Sequence, residues 1–283
     1  METPQLMITN LLDQLEKSGY AKSEIIKKEY NYETTITKAK EKVKILIYFG
    51  QKGIKTILQG NKESDLYISI EKILFNKNIY PNIETEDNFD YIGVDESGKG
   101  DFFGPLVICG FYSPVKNFEV LKKIGIQDSK NLSDSSIVSI SKKIKEIKEI
   151  YFDIVFISPK KYNAIYSKFL NLNKLLAWGH ATAIENILAR TSVEKVVCDK
   201  FGDESLIMNA LKEKGKKIEI IQKTKAERFL NVAAASILAR NELINWFQVS
   251  EKNLGMRVNK GSGREVNLRA NEIYRKFGKE VLD

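Results

Sequence analysis

The sequence predicts two units: a small α+β module over residues 1–82 and an α/β domain over residues 91–283, joined by a linker over 83–90. Three observations carry this. Along residues 91–277 short apolar runs alternate with longer stretches of helical period, as in a largely parallel sheet covered by helices and opened by an antiparallel hairpin. Two of the runs, Tyr91–Val94 and Val193–Cys198, lead straight into a carboxylate, and open α/β sheets gather their sites at strand ends. Between the two units the stretch 81–90 is polar and acidic and begins with Pro81, which suits a linker.

In the first unit, Leu6, Ile8, Leu11, Leu12 and Leu15 recur with a helical period that stops at Gly19. Lys27 to Thr37 reads as a strand. The stretch 42–49 reads as a second, with Val43, Ile45, Ile47 and Phe49 on one face. Gly50-Gln51-Lys52-Gly53 turns it into a third strand over 54–58. Asn61 is placed to cap a helix through Leu66, Ile70 and Leu74. The other face of the 42–49 strand offers Lys42, Lys44 and Tyr48, which reads either as a solvated sheet face or as a surface for nucleic acid.

The second unit opens with the strand Tyr91–Val94, the acids Asp95 and Glu96, a turn through Ser97, Gly98, Lys99 and Gly100, and an apolar strand over Phe102–Phe111. Ser133 caps an amphipathic helix through Ile147. Tyr151–Ile157 is a strand, Lys160–Leu170 and Asn171–Ala189 are helices, and Val193–Asp199 is a buried strand ending in an acid. A helix over 203–214, a strand over 217–221 and helices over 225–247 and 265–277 complete the order.

Composition narrows the function. Apolar residues make up 43% and charged residues 29% of 283, the balance of a globular protein, and no run approaches the roughly 18 apolar residues of a membrane span. The first residues lack the basic and apolar regions of a signal peptide, so the expected location is cytoplasmic. Cys109 and Cys198 lie in apolar runs and read as buried free thiols. One histidine and no closely spaced cysteine pair argue against zinc. The net charge of +8 favours an anionic partner.

Four acids are candidates for chemistry. Asp95 and Asp199 end apolar strands, and clustered carboxylates are costly unless a cation neutralises them. Mg²⁺ and Mn²⁺ prefer such oxygen ligands. Glu96 would point to the opposite face of a regular strand, so it joins Asp95 only if the strand ends or bulges there. Glu227 reads either as a ligand or as part of a capping box, Thr224-Lys225-Ala226-Glu227. The glycines of the turn let backbone N–H groups approach a phosphate, with Lys99 adding charge; a plain hairpin turn is the other reading. His180, inside a helical run, reads as a packing or surface residue.

Asp95-Glu96-Ser97-Gly98-Lys99-Gly100-Asp101 followed by Gly104-Pro105 resembles the opening signature of the type 2 ribonucleases H, and the lysine between the glycines resembles ribonuclease HIII in particular. Asp128-Ser129-Lys130, the 171–186 segment around Trp178-Gly179-His180, the run 232–240 and Lys260-Gly261-Ser262-Gly263 match the same family in order. The resemblance implies a ribonuclease H-like domain preceded by a substrate-binding module similar to the TATA-binding-protein fold. It implies hydrolysis of the RNA strand of RNA–DNA hybrids using two Mg²⁺ (or Mn²⁺) ions, leaving 5′-phosphate and 3′-hydroxyl ends; a monomer is the expected state. Asp95, Glu96, Asp199 and Glu227 would hold the metal, with Ser97, Gly98, Lys99, Gly100, Ser129 and Lys130 on the nucleic-acid backbone; Asp128-Ser129-Lys130 reads equally as a turn before the next helix. Ribonuclease HII usually has aspartate where this chain has Glu227; Lys99 in place of arginine and the 177–181 segment also separate the chain from that relative.

Overall fold

The computed structural model describes residues 4–17, 19–50, 53–76, 88–212 and 217–282. In the first unit, α1 (Pro4–Lys17) and α2 (Asp65–Asn76) cover one face of an antiparallel sheet. Its main path runs β1 (Ala21–Lys22), β3 (Asn31–Lys38), β4 (Glu41–Gly50), β5 (Gly53–Gln59), with β2 (Ile26–Lys27) also paired to β3. Val43, Ile45 and Ile47 alternate into a core shared with Ile8, Leu11 and Leu15 of α1 and Leu66, Ile70 and Leu74 of α2. The predicted strand 27–37 is really two, because the chain doubles back between Lys27 and Asn31 so that Lys27 pairs with Tyr32. Ser64, rather than Asn61, caps α2: its Oγ accepts from the Tyr67 amide at 3.1 Å, while Asn61 accepts from Glu63 one turn earlier. The turn residues 51 and 52 lie outside the described residues, as does most of the expected linker.

The second unit is built on a mixed sheet ordered β10 (Glu219–Lys223), β9 (Lys195–Asp199), β6 (Ile92–Ser97), β7 (Leu106–Tyr112), β8 (Tyr151–Ile157). The β10–β9 and β9–β6 pairs are parallel; β6–β7 and β7–β8 are antiparallel. The sheet is therefore mixed, as expected: parallel on one side of β6 and antiparallel on the other, where β8 pairs with β7 after a connection that carries helices.

Helix α8 (Leu230–Leu254) packs on one face together with α4 (Asp134–Lys145), around a core that includes Phe111, Leu132 and Ile237. Helix α6 (Leu172–Leu188), with α5 (Pro159–Phe169) and α7 (Glu204–Ala210), covers the other. Two short-range features bring α8 close to the site. A Cβ on Gly93 would stand 2.2 Å from the Asn231 backbone, so only glycine permits this approach. Asn231, fully buried, donates from Nδ2 to the Tyr91 and Ser113 carbonyls at 2.8 and 3.0 Å and pins the start of α8 to the sheet. The remaining helices are α3 (Phe118–Lys123) and α9 (Arg264–Phe277).

Candidate active site

The parallel pairing of β6 with β9 ends at Val94 opposite Cys198. Asp95 and Asp199 are the next residues of the two strands, so the backbone delivers both acids to one sheet edge. β6 does not end at Val94 as expected: its ladder with β7 continues through Asp95, Glu96 and Ser97, opposite Cys109, Ile108 and Val107. Strand alternation then sends the neighbouring acids apart. Asp95 faces the Ser236 hydroxyl on α8, whereas Glu96 lies 3.1 Å from Nε2 of His180 on α6. The Phe102–Phe111 strand correspondingly starts only at Leu106, because residues 101–105 turn around Gly104 at φ 97°.

The environments of the two acids differ. Burial pushes the Asp95 carboxyl up to about 7, and the charges of Glu96 and Asp199 push the same way against the Ser236 hydroxyl and a backbone N–H. Burial also opposes ionisation of Glu96, but the His180 hydrogen bond and charge and the Lys99 ammonium, 3.4 Å from Oε1, hold it below the usual carboxylate range. His180 is fully buried and its ring lies 4.8 Å from that of Phe201. It is thus a buried partner of Glu96.

Asp199 Oδ1 accepts from the Ala226 amide at 3.4 Å, which brings the turn bearing Glu227 up to the same edge. No capping box forms there. Ala226–Arg228 is a short 3₁₀ turn entered through Lys225 at φ 59°, and α8 starts only at Leu230 without a side-chain cap. Among the described residues, no three acidic, histidine or cysteine side chains stand close enough to hold a metal ion as they are. The donor chemistry nevertheless fits a hard divalent cation. All the candidate donors are carboxylate oxygens, and a carboxyl pushed upward by burial and by two neighbouring carboxylates marks a locus short of positive charge.

The turn after β6 has a geometric need for its first glycine. Gly98 sits at φ 89°, and a Cβ there would meet the Pro105 carbonyl oxygen at 2.1 Å; around Gly100 the space is open. Asp101 accepts from the Gly261 amide at 2.6 Å and Phe102 donates to the Gly261 carbonyl at 2.8 Å, so the Lys260–Gly263 motif buttresses this turn. A cleft of about 480 Å³ opens beside it, lined among others by Gly98, Lys99, Phe102, Lys160, Tyr162 and Trp246. The Lys160-Lys161-Tyr162 run is the sequence signal for two of these residues, whereas Trp246 has none of its own.

Of the two residues expected on the nucleic-acid backbone or in a turn, Ser129 is buried with its Oγ 2.7 Å from that of Ser236, and Lys130 is exposed. Asp128 accepts from the Lys130 amide at 2.9 Å, so the Asp-Ser-Lys motif is also a turn. Lys42, Lys44 and Tyr48 lie on the separate amino-terminal sheet. Lys42 is exposed, Tyr48 half-buried, and Lys44 is 3.1 Å from Glu33, which also pairs with Lys28. Cys109 and Cys198 are free and buried, and no helix of the described residues is long and apolar enough to cross a membrane.

Comparison with known proteins agrees with this architecture. Residues 92–283 match the family model of ribonuclease HII. A ribonuclease HIII of Protochlamydia amoebophila is 40% identical over 231 residues, which are 81% of this chain and 76% of the relative. One from Chlamydia caviae is 38% identical over 96% of this chain and 88% of its own. Among solved structures, Bst ribonuclease HIII in complex with Mn²⁺ aligns with a TM-score of 0.65 at 22% identity, covering 96% of this chain and 90% of that one. Aquifex aeolicus ribonuclease H3 aligns with a TM-score of 0.55 at 27% identity over 94% and 91%. With its ribonuclease H-like sheet, its acids at adjoining strand ends and these relatives, the chain belongs to the ribonuclease HII family, on its ribonuclease HIII branch.

Proposed function

We propose that the protein hydrolyses the RNA strand of RNA–DNA hybrids with the help of two divalent cations, Mg²⁺ or Mn²⁺, leaving 5′-phosphate and 3′-hydroxyl ends. The observation that carries this is the meeting of Asp95 and Asp199 one residue beyond the last β6–β9 pair, with the Asp95 carboxyl pushed up to about 7 by burial and by its acidic neighbours. Asp95, Glu96, Asp199 and Glu227 would hold the ions. Bound there, such ions would supply water activation near neutral pH and neutralise charge on the departing oxygen.

The chain's own residues supply orientation. Ser236 steadies Asp95, and His180 with Lys99 keeps Glu96 ionised and in place. The backbone of Gly98, Lys99 and Gly100 faces the phosphate beside the scissile step, where contact with the 2′-hydroxyl distinguishes RNA from DNA. The neighbouring cleft, with Lys160 and exposed aromatic surface at Phe102, suits a charged backbone carrying stackable bases. Residues 1–82 form a substrate-binding module, with Lys42, Lys44 and Tyr48 on the sheet face away from α1 and α2. The protein works as a monomer in the cytoplasm.

The test is cleavage of two end-labelled duplexes, one with a continuous RNA strand paired to DNA and one with a single ribonucleotide embedded in DNA, each with Mg²⁺, Mn²⁺ or EDTA. The expected result is cutting of the first, with metal only. Efficient cutting of the second would shift the specificity toward that of ribonuclease HII; cutting in EDTA would remove the metal assignment.

A further inference from the structure

Glu71 of α2 is fully buried, and among the described residues its side-chain hydrogen bonds go to the other unit. One carboxylate oxygen accepts from the Ser133 amide at 3.0 Å; the other accepts from the hydroxyls of Ser133 and Ser136, each at 2.5 Å. A buried carboxylate is tolerated only with such donors, and the first turn of α4 offers unpaired N–H groups at the positive end of its dipole. The same module reaches the preceding residues as well. Lys62 donates from Nζ to the Lys130 carbonyl, and Tyr67 donates from its hydroxyl to the Asn131 carbonyl at 3.5 Å. The segment 130–136 is thus gripped at four residues by the amino-terminal unit.

From its other side this segment leans on α8. Arg240 donates to the Ser129 carbonyl and, at 3.0 Å, to Asp134. Ser129 and Ser236 join their hydroxyls at 2.7 Å, both residues being buried. Ser236 also stands beside the Asp95 carboxyl, where its hydroxyl favours the ionised acid. A hydroxyl has one proton to give. When Ser236 turns its proton to the ionised Asp95, Ser129 is left as the donor to Ser236, so polar contacts lead from the 129–133 loop to the acid.

We propose that Glu71 is a positioning residue for the reaction: by clamping residues 133–136 it holds Ser129 against Ser236, and through Ser236 it fixes the orientation of Asp95. The amino-terminal unit then shapes the catalytic centre as well as holding substrate. This rests on Asp95 being part of that centre, as argued above.

The experiment compares wild type, Glu71→Gln, Glu71→Ala, Ser129→Ala and the Glu71→Ala/Ser129→Ala double variant in the full-length chain. It reads kcat and KM on a continuous hybrid, and Mn²⁺ binding to the substrate-free protein by calorimetry. Loss of Glu71 is expected to lower kcat about tenfold with KM changed less than about twofold, and to weaken Mn²⁺ binding several-fold. Glu71 does not touch Ser129, yet the double variant should lose no more than the worse single one, because both act through Ser236. Glu71→Gln, which keeps the shape and one acceptor, should retain most of kcat. A change confined to KM, or multiplicative losses in the double variant, would overturn the proposal. Should Glu71→Ala fail to fold, Lys62→Met, which releases only the Lys130 carbonyl at the surface, takes its place in the cycle with the same criteria. If wild type itself does not cut hybrids, the proposed activity is what fails, and Mn²⁺ binding still decides the role of Glu71.

Discussion

At the residue scale, the two adjacent acids make opposite demands. Asp95 is raised in the folded state, from an ordinary value near 3.8 to about 7. Folding therefore favours its protonated form: the stabilisation is complete below about pH 3.8 and is lost as the pH rises through about 7. Asn mimics the protonated acid without titrating. Metal-free Asp95→Asn should accordingly melt higher than metal-free wild type at pH 8, with the gap closing toward pH 4, while cleavage falls at least about a thousandfold. Melting curves across that pH range, beside an activity assay, check both; an Asp95→Asn protein that kept cleaving hybrids would remove this residue from the centre. For His180, fully buried against Glu96 and Phe201, truncation to Ala opens a cavity and strips Glu96 of a partner. Urea denaturation should show a loss of about 2–4 kcal/mol, against less than about 0.5 for a surface histidine.

At the scale of elements, the turn after β6 separates conformational from functional need. Gly98 has a left-handed backbone and no room for a Cβ, whereas Gly100 has open space around it. Gly98→Ala should cost about 2–3 kcal/mol and disturb the turn, while Gly100→Ala should leave the melting temperature nearly unchanged. If the Gly100 backbone faces the phosphate, Gly100→Ala should still raise KM for hybrids; unchanged melting with unchanged KM would remove Gly100 from the interface.

This turn also shows how much was legible in advance. Apolar runs ending in Asp95 and Asp199, and the glycines between two strands, announced the sheet and its edge, because burial pattern and turn chemistry are local properties. The continuation of β6 through Glu96 was not legible, since it depends on the partners Ile108 and Val107 in β7. Thr224-Lys225-Ala226-Glu227 had the letters of a capping box, yet tertiary packing placed Lys225 in a left-handed turn and delayed α8 to Leu230. His180 carried no local signal of its pairing, because its partner lies 84 residues away.

For the whole molecule, the amino-terminal core around Ile8, Ile45 and Leu66 is separate from the two cores that sandwich the larger sheet. Among the described residues, polar contacts join the units: Glu71 with Ser133 and Ser136, Lys62 and Tyr67 with backbone carbonyls, and Arg257 with Glu63 at 2.8 Å. A chain lacking residues 1–82 should therefore still fold, since it keeps its own cores. It would lose both the proposed binding face and the clamp on the 130–136 segment. We expect KM for hybrids to rise and kcat to fall as well, by a factor similar to that of Glu71→Ala. Supplying substrate to saturation should then fail to restore the full rate. Measured kcat values for the truncated and intact chains decide the point: equal values would confine the amino-terminal unit to holding the hybrid, whereas a shared deficit in the truncated chain and the point variant would mean that the hydrogen bonds leading to Asp95 begin in a different domain from the one that carries it.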